Sequence, residues 1–117
     1  MTENIYWIIS LKIGDGNVQA VKDIAPVFCD LTKQEPGALA YEWSLSADGS
    51  KLNVYERYVN SDAALAHLAN VGPRLPELFA LASPTGIECY GAASDTFKEA
   101  VKDLPVTFYS QFDGFCR

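Results

Sequence analysis

The sequence predicts an α+β domain with the element order β-α-β-β-α-β, the ferredoxin-like order, and an antiparallel sheet. Three observations lead to this prediction. Asp48-Gly49 is a strong hairpin signal between two runs of strand-forming residues, an amphipathic helical pattern lies on each side of that hairpin, and a strand-like run lies near each end of the domain. With 117 residues, the chain has the length of one domain.

The first two elements are a strand and a helix. Ile5–Ile13 is rich in β-branched and aromatic residues and ends at Gly14-Asp15-Gly16, so it is predicted to be a strand. Asn17 can cap the helix that follows, and Pro36-Gly37 ends it. Pro26 lies inside the helical pattern and is expected to kink or split it. The apolar positions recur at three- and four-residue steps: Val18, Val21, Ala25, Phe28 and Thr32.

The hairpin assigns side chains to the two faces of the sheet. Its strands are Leu39–Ser46 and Lys51–Asn60, and residues that oppose each other across the turn share one face. That face carries the pairs Leu45 and Leu52, Trp43 and Val54, Tyr41 and Glu56, and Leu39 and Tyr58. The reverse face is more polar. The helices are therefore predicted to cover the first face.

A second helix and a fourth strand complete the domain. Ser61-Asp62 is a good helix start, Val71-Gly72-Pro73 interrupts the pattern, and Ile87–Tyr90 is a short strand. The apolar stripe of this helix is read as Ala64, Leu65, Leu68 and Ala69, resuming at Leu75, Leu78, Phe79 and Leu81.

The last residues form a tail. A helix is predicted for Ser94–Leu104 and one further strand-like run for Val106–Phe112. We therefore divide the chain into a ferredoxin-like domain, residues 1–93, and a C-terminal helix and tail, residues 94–117. The tail is rich in aromatic residues and is expected to pack on the same domain or on a partner subunit.

Charge and cysteine content exclude several classes of protein. The net charge is −6 and the nine basic residues are not clustered, which argues against nucleic acid or an anionic membrane as a partner. The N-terminus has no basic leader, and no segment approaches a membrane span. Three widely spaced cysteines and a single histidine make no metal site, and they predict reduced thiols in the cytoplasm.

Helices on one face of the sheet leave the other face open. Pairing two such sheets would bury that face, so we expect a homodimer in the form of a dimeric α+β barrel. The alternative is a monomer with a solvated sheet face.

Three segments resemble the antibiotic biosynthesis monooxygenase family, a branch of the dimeric α+β barrel superfamily. They are EPGALAYEW (Glu35–Trp43), the Asp48-Gly49 turn and LNVYERYVNSDAALAHL (Leu52–Leu68). The resemblance covers about residues 4 to 91. Members include cofactor-independent quinol and polyketide monooxygenases, haem-degrading enzymes and isomerases of small carbonyl compounds, and the fold alone does not choose among them.

The resemblance also implies site residues. Tyr58 matches the position of a pocket tryptophan or tyrosine, and His67 matches a histidine that belongs to the active site in an isomerase branch. Two departures are visible. A second histidine is missing where the chain reads Val71-Gly72-Pro73-Arg74. The pocket asparagine of haem-degrading members is replaced by Ile8 or Ile9, so haem degradation is not expected.

The candidate catalytic residues are Glu56, His67 and Tyr58. Glu56 falls on the apolar face, where a carboxylate must be hydrogen-bonded or have a raised pKa. It is either a structural carboxylate or a base. His67 lies about 130° from the centre of its helix's apolar stripe, a boundary position. It is either a solvated surface histidine or the proton-transfer group near pH 7.

The candidate substrate-binding residues are mostly aromatic. Trp43, Tyr41 and Trp7 could stack on a planar substrate, with Val54 on the same face as Trp43, or they could simply be core. Arg74 could clamp an anionic group or be solvated. Nothing near Cys89 would lower its pKa, which argues against a nucleophilic thiol.

The function that the resemblance implies is oxidation of a small quinol or hydroxy-aromatic substrate by dioxygen. No phosphate-binding glycine loop, metal cluster, flavin or nicotinamide signature is visible, so no cofactor is expected. Two alternatives remain open: an isomerase that moves a proton on a small keto compound, and a non-enzymatic stress-response or binding barrel.

Overall fold

A computed structural model describes residues 2–117. In chain order the elements are β1 (Ile5–Ile13), α1 (Val18–Lys33), β2 (Ala38–Leu45), β3 (Lys51–Tyr58), α2 (Ser61–Val71), a 3₁₀ turn (Gly72–Arg74), α3 (Leu75–Leu81), β4 (Ala82–Gly91), α4 (Asp95–Ala100) and β5 (Val106–Tyr109). The chain therefore has the predicted β-α-β-β-α-β order, followed by a helix and a short strand. Within residues 2–117, every helix is too short or too polar to cross a lipid bilayer.

The five strands form one sheet in the order β2-β3-β1-β4-β5. β1 lies in the middle and pairs antiparallel with β3 and with β4, and β2 pairs antiparallel with β3. β5 differs, because it runs parallel to β4 at the sheet edge. The helix α4 lies in the connection between β4 and β5, and such a crossover is what a parallel pair requires. The prediction of an antiparallel sheet is thus confirmed for the first four strands.

The β2–β3 hairpin has the predicted register near its turn and departs from it at the far end. Tyr41 pairs with Glu56, but a bulge follows, so that Ala38 rather than Leu39 lies opposite Tyr58. Leu39 is the extra residue and is 52% exposed, so its predicted place on the covered face is wrong. At the turn, Oδ1 of Asp48 accepts hydrogen bonds from the hydroxyls of Ser46 and Ser50, at 2.8 and 2.7 Å.

Helix α1 differs from the prediction at two residues. Pro26 does not split the helix, which runs unbroken for 16 residues. Pro26 is on the exposed side of α1, where water can hydrogen-bond the carbonyl that lacks its helical partner. Asn17 precedes the helix, but its side chain makes no capping bond and donates instead to the carbonyl of Leu81, at 3.2 Å.

Strand β4 begins five residues earlier than Ile87, the predicted start. Its first half contains Pro84, which lacks the backbone N–H that a strand ladder uses. A register shift in the β1–β4 ladder at Ser10 and Leu11 absorbs the irregularity, which is how sheets accommodate proline.

The helices and one face of the sheet enclose two clusters of buried apolar side chains. One lies under α1 and α3 and includes Phe28 and Leu78. The other lies under α2 and α4 and includes Trp7, Tyr58 and Phe97. Alternate residues of β3 are buried, from Leu52 to Tyr58, so Glu56 lies on the helix-covered face as the hairpin predicts.

Candidate active site

The floor of the site is one row of side chains across the sheet. The register places Tyr41 beside Glu56, Glu56 beside Trp7, and Trp7 beside Cys89. All four strands present the same face here, so these side chains point toward the helices. The Glu56 carboxylate therefore lies between Tyr41 and Trp7, with the thiol of Cys89 on the far side of Trp7.

His67 of α2 covers this row and is buried, with 2% of its surface exposed. The prediction of a boundary position is therefore wrong. The buried residues of α2 are Ser61, Ala64, His67 and Val71, so the covered stripe is rotated away from Ala69, which is exposed. Hydropathy alone does not predict the burial of a histidine whose ring nitrogens pair with other buried side chains.

Two glutamates flank the imidazole of His67. Its Nδ1 lies 3.0 Å from Oε2 of Glu35 and 3.2 Å from Oε1 of the same carboxylate. Its Nε2 lies 3.0 Å from Oε1 of Glu56. The side chains of His67, Glu35 and Glu56 are 3%, 10% and 7% exposed, so the three groups form a buried carboxylate–imidazole–carboxylate arrangement.

Glu35 and Asn70 belong to this arrangement, and sequence reasoning did not select them as site residues. Nδ2 of Asn70 donates to Oε2 of Glu35 at 2.8 Å and to the carbonyl of Leu31 at 3.0 Å. Asn70 thus fixes the Glu35 carboxylate against His67. The available signal was the spacing on α2, because His67 and Asn70 are three residues apart and share a face of the helix.

Tyr58 supports Glu56 from below. Its hydroxyl donates to Oε1 of Glu56 at 2.8 Å, and its ring lies 5.0 Å from Trp7 and 4.9 Å from His67. Oε1 of Glu56 therefore contacts both Tyr58 and His67. Among residues 2–117, no hydrogen-bond donor contacts the other oxygen, Oε2.

The two carboxylates determine the protonation of His67. Burial alone would lower the pKa of the imidazole, but Glu56 and then Glu35 outweigh that effect, and the pKa is raised above its ordinary value of 6.5. Burial, reinforced by the negative charge of Glu56, raises the pKa of both Tyr58 and Tyr41 beyond their ordinary range. The two glutamates therefore favour the imidazolium form of His67, and both phenols are protonated at neutral pH.

A cavity of about 60 Å³ borders this arrangement. Glu56, His67, Tyr41 and Trp43 contribute its polar groups, together with Cys89. Other residues of the lining are apolar and come from the sheet and from α2, α3 and the C-terminal segment: Trp7, Ile9, Val54, Leu68, Val71, Leu75, Leu78, Phe79, Ile87, Phe97, Val101, Leu104 and Val106.

The structure brings most of the predicted site residues together. Glu56, His67, Trp7, Tyr41, Trp43 and Val54 line the cavity. The indole N–H of Trp43 is buried and has no hydrogen-bond acceptor within residues 2–117. Tyr58 touches the site only through Glu56 and is not part of the cavity wall.

Two other candidates have different surroundings. Arg74 is outside the cavity wall, and its guanidinium lies on the surface, 3.4 Å from Glu77. Cys89 lines the cavity, but burial raises the pKa of its thiol to about 11. A thiol with that pKa carries almost no thiolate near neutral pH, which agrees with the interpretation that it is not a nucleophile.

Comparison with known proteins places the chain in a family. Residues 4–74 match the family model described as antibiotic biosynthesis monooxygenase. A search of curated protein sequences finds no match.

Solved structures share the fold. MupZ from Pseudomonas fluorescens is 25% identical, with a TM-score of 0.92 over 100% of this chain and 91% of that chain. SnoaB, described as a cofactor-independent oxygenase from Streptomyces nogalater, is 14% identical, with a TM-score of 0.68 over 80% of this chain and 96% of that one. Rv0793 from Mycobacterium tuberculosis is 19% identical, with a TM-score of 0.68 over 79% and 97%.

The family match covers more than half of the 117 residues and includes Glu35, Glu56, Tyr58 and His67. The ferredoxin-like order of the elements agrees with this family match. The chain belongs to the antibiotic biosynthesis monooxygenase family.

Proposed function

We propose that the protein is a cofactor-independent monooxygenase that oxidises a small quinol or hydroxy-aromatic compound with dioxygen. The observation that carries the proposal is the Glu56–His67 pair at the edge of an apolar cavity. Such a pair can move a proton, and the surrounding apolar walls keep bulk water from the anion that results. Membership of the family supports the reaction type.

The base in this proposal is Glu56, acting through Oε2. Both nitrogens of His67 face carboxylates, so an imidazolium there has no free lone pair for a substrate proton. Within residues 2–117, Oε2 of Glu56 has no hydrogen-bond donor. His67 and Tyr58 both contact Oε1 and fix the orientation of the carboxylate.

The reaction then balances without a cofactor. Glu56 takes the proton of an aromatic hydroxyl, and the anion gives one electron to dioxygen. The substrate radical and superoxide combine into a peroxide anion, which takes the proton back from Glu56. Cleavage of the O–O bond with loss of the hydrogen on the same carbon releases water and leaves one oxygen in the product as a quinone carbonyl. The unpaired N–H of Trp43 is a candidate donor for a substrate oxygen, since a ligand acceptor would satisfy a buried group that has none.

A second candidate uses the same groups. Proton transfer on a small keto compound needs the base and a donor but no dioxygen, and the polar groups at this cavity are all proton-transfer or hydrogen-bonding groups. A non-enzymatic barrel is favoured less, because the buried pair borders a cavity instead of being enclosed on all sides.

Oxygen uptake separates these functions. With a panel of small hydroquinones and phenols in an oxygen electrode, we expect consumption of one dioxygen for each substrate oxidised by the purified protein. Turnover of a keto compound that continues at the same rate under nitrogen would replace the oxygenase by the isomerase. Absence of turnover in both tests would favour the binding barrel.

We also propose a cytoplasmic homodimer in which two sheets pair through their uncovered faces. The free thiols of Cys29, Cys89 and Cys116 support a reducing compartment. Exposed aromatic side chains beyond α4 support the dimer, since Phe112 and Phe115 are 94% and 76% exposed. Sedimentation equilibrium should give twice the subunit mass of 12.8 kDa, and a single-subunit mass at micromolar concentration would contradict the dimer.

A further inference from the structure

Part of the cavity wall comes from outside the family match, and its C-terminal portion follows β4 in the chain. That match ends at Arg74, yet Phe97, Val101, Leu104 and Val106 all line the cavity. These four belong to α4, to the turn after it and to β5. We call residues 94–106 the C-terminal wall. The family model does not include this wall, so family membership does not determine its residues.

Phe97 is the central side chain of the C-terminal wall. It is 2% exposed, and its ring stacks on Trp7 with centroids 5.5 Å apart. Trp7 in turn lies beside Glu56 in the sheet and 6.3 Å from the imidazole of His67. Phe97 therefore closes the side of the cavity away from the catalytic pair, with one aromatic ring between them.

The wall is anchored at both ends, which fixes where Phe97 stands. The Ser94 hydroxyl accepts a hydrogen bond from the amide of Phe97 at 3.1 Å, and the amide of Ser94 donates to the hydroxyl of Ser61 at 3.0 Å. At the other end β5 pairs with β4, and the amide of Ile87 donates to the carbonyl of Pro105 at 2.9 Å. A side chain held in this way limits the size of what fits beneath it.

The volume of the cavity shows that only a small ligand fits. At about 60 Å³ the cavity is much smaller than the roughly 150 Å³ in which an apolar protein cavity binds benzene. Its polar groups contact one another at one end, because Glu56, His67 and Tyr41 are neighbours. Apart from the indole N–H of Trp43 and the thiol of Cys89, the rest of the lining is apolar. A ligand that suits it has one hydrogen-bonding end and a compact apolar body.

We propose that Phe97 is a specificity-determining residue, which restricts this cavity to small ligands with one polar end and an apolar body. The proposal rests on the proposed function for the location of the site and adds the size and chemical class of the ligand. Shortening Phe97 should extend the apolar end without touching Glu56 or His67.

Binding of two probes tests this without any turnover. Phenol and 1-naphthol carry the same hydroxyl and differ by one ring, and their affinities can be measured by chemical-shift titration. For the unaltered protein, whose cavity is smaller than one that holds benzene, we expect neither probe to bind tightly and 1-naphthol to bind no more tightly than phenol. In Phe97→Ala the affinity for 1-naphthol should rise at least ~10-fold, because its second ring finds apolar surface in the enlarged cavity.

Two further variants make the result decisive. Val27→Ala removes an apolar side chain from an exposed position of α1 outside the cavity wall and should change neither affinity. Leu104→Ala removes a smaller group from the C-terminal wall and should shift the preference in the same direction as Phe97→Ala. Unchanged selection between the two probes in both wall variants would overturn the proposal, as would tight binding of 1-naphthol to the unaltered protein. Failure of oxygen uptake alone would leave the binding result standing, so the two proposals fail separately.

Discussion

Replacement of His67 with alanine should destabilise the fold by about 3–5 kcal/mol, the cost of removing one partner from a buried ion pair. The alanine leaves the carboxylates of Glu35 and Glu56 buried without their cation. Urea unfolding followed by tryptophan fluorescence measures the change. As a control, Tyr90→Phe removes an exposed hydrogen bond to Glu88 and should stay within about 0.5 kcal/mol of the parent.

The same variant has a pH signature. A raised folded-state pKa means that the stabilisation from His67 is fully present below its ordinary value of 6.5 and is lost as the pH rises through the folded value. The difference between the parent and His67→Ala should therefore shrink in alkaline solution. Adding Glu56→Gln to His67→Ala should recover part of the loss, because one unpaired charge is removed. A loss below about 1 kcal/mol at pH 6 would show that the pairs contribute little.

Glu56→Gln should lower kcat by about 10²–10⁴-fold, the usual contribution of a positioned general base. The amide keeps the shape of the side chain and can still accept the hydroxyl proton of Tyr58, but it cannot take a proton from a substrate. Oxygen uptake with the best substrate of the panel is the measurement. KM should change much less than kcat, since the apolar contacts that bind the substrate remain.

A matched control separates this effect from a general loss of charge. Glu77→Gln changes the same residue type on the surface, beside Arg74 and outside the cavity wall, and should keep the parent rate. If Glu56→Gln turned over at a rate within a few-fold of the parent, the base would have to be another group, and His67 would be the next to test.

The hairpin made the sheet side of the site predictable. Once the register of a strand is fixed, the alternation of its side chains determines the face on which each one lies. The turn signal fixes that register here and so places four residues on one face: Tyr41, Trp43, Val54 and Glu56. The far end of the same hairpin was not predictable. The bulge at Leu39 changes the count by one residue, and no residue type within the strand marks it.

On the helical side of the site, the choice of His67 as a site residue was predictable, but its burial was not. His67 was selected from the resemblance, but its burial depends on Glu35, which lies 32 residues earlier in the chain. Hydropathy classes histidine as polar and therefore leaves it out of the apolar stripe of a helix. It contains no information about a carboxylate elsewhere in the chain that balances the charge of the imidazole. The contribution of Phe97 was missed for a similar reason, because the crossover to β5 that carries it over the cavity is a long-range feature.

The central claim is that His67 is a buried imidazolium held between Glu35 and Glu56, and nitrogen NMR tests it most directly. The protein has only one histidine, so a two-bond ¹H–¹⁵N spectrum shows a single imidazole without assignment by mutation. At pH 7 both ring nitrogens of His67 should be protonated, and the titration midpoint of the imidazole should lie above 6.5. Glu35→Gln should lower that midpoint. A single neutral tautomer at pH 7 with a midpoint below 6.5 would contradict the account.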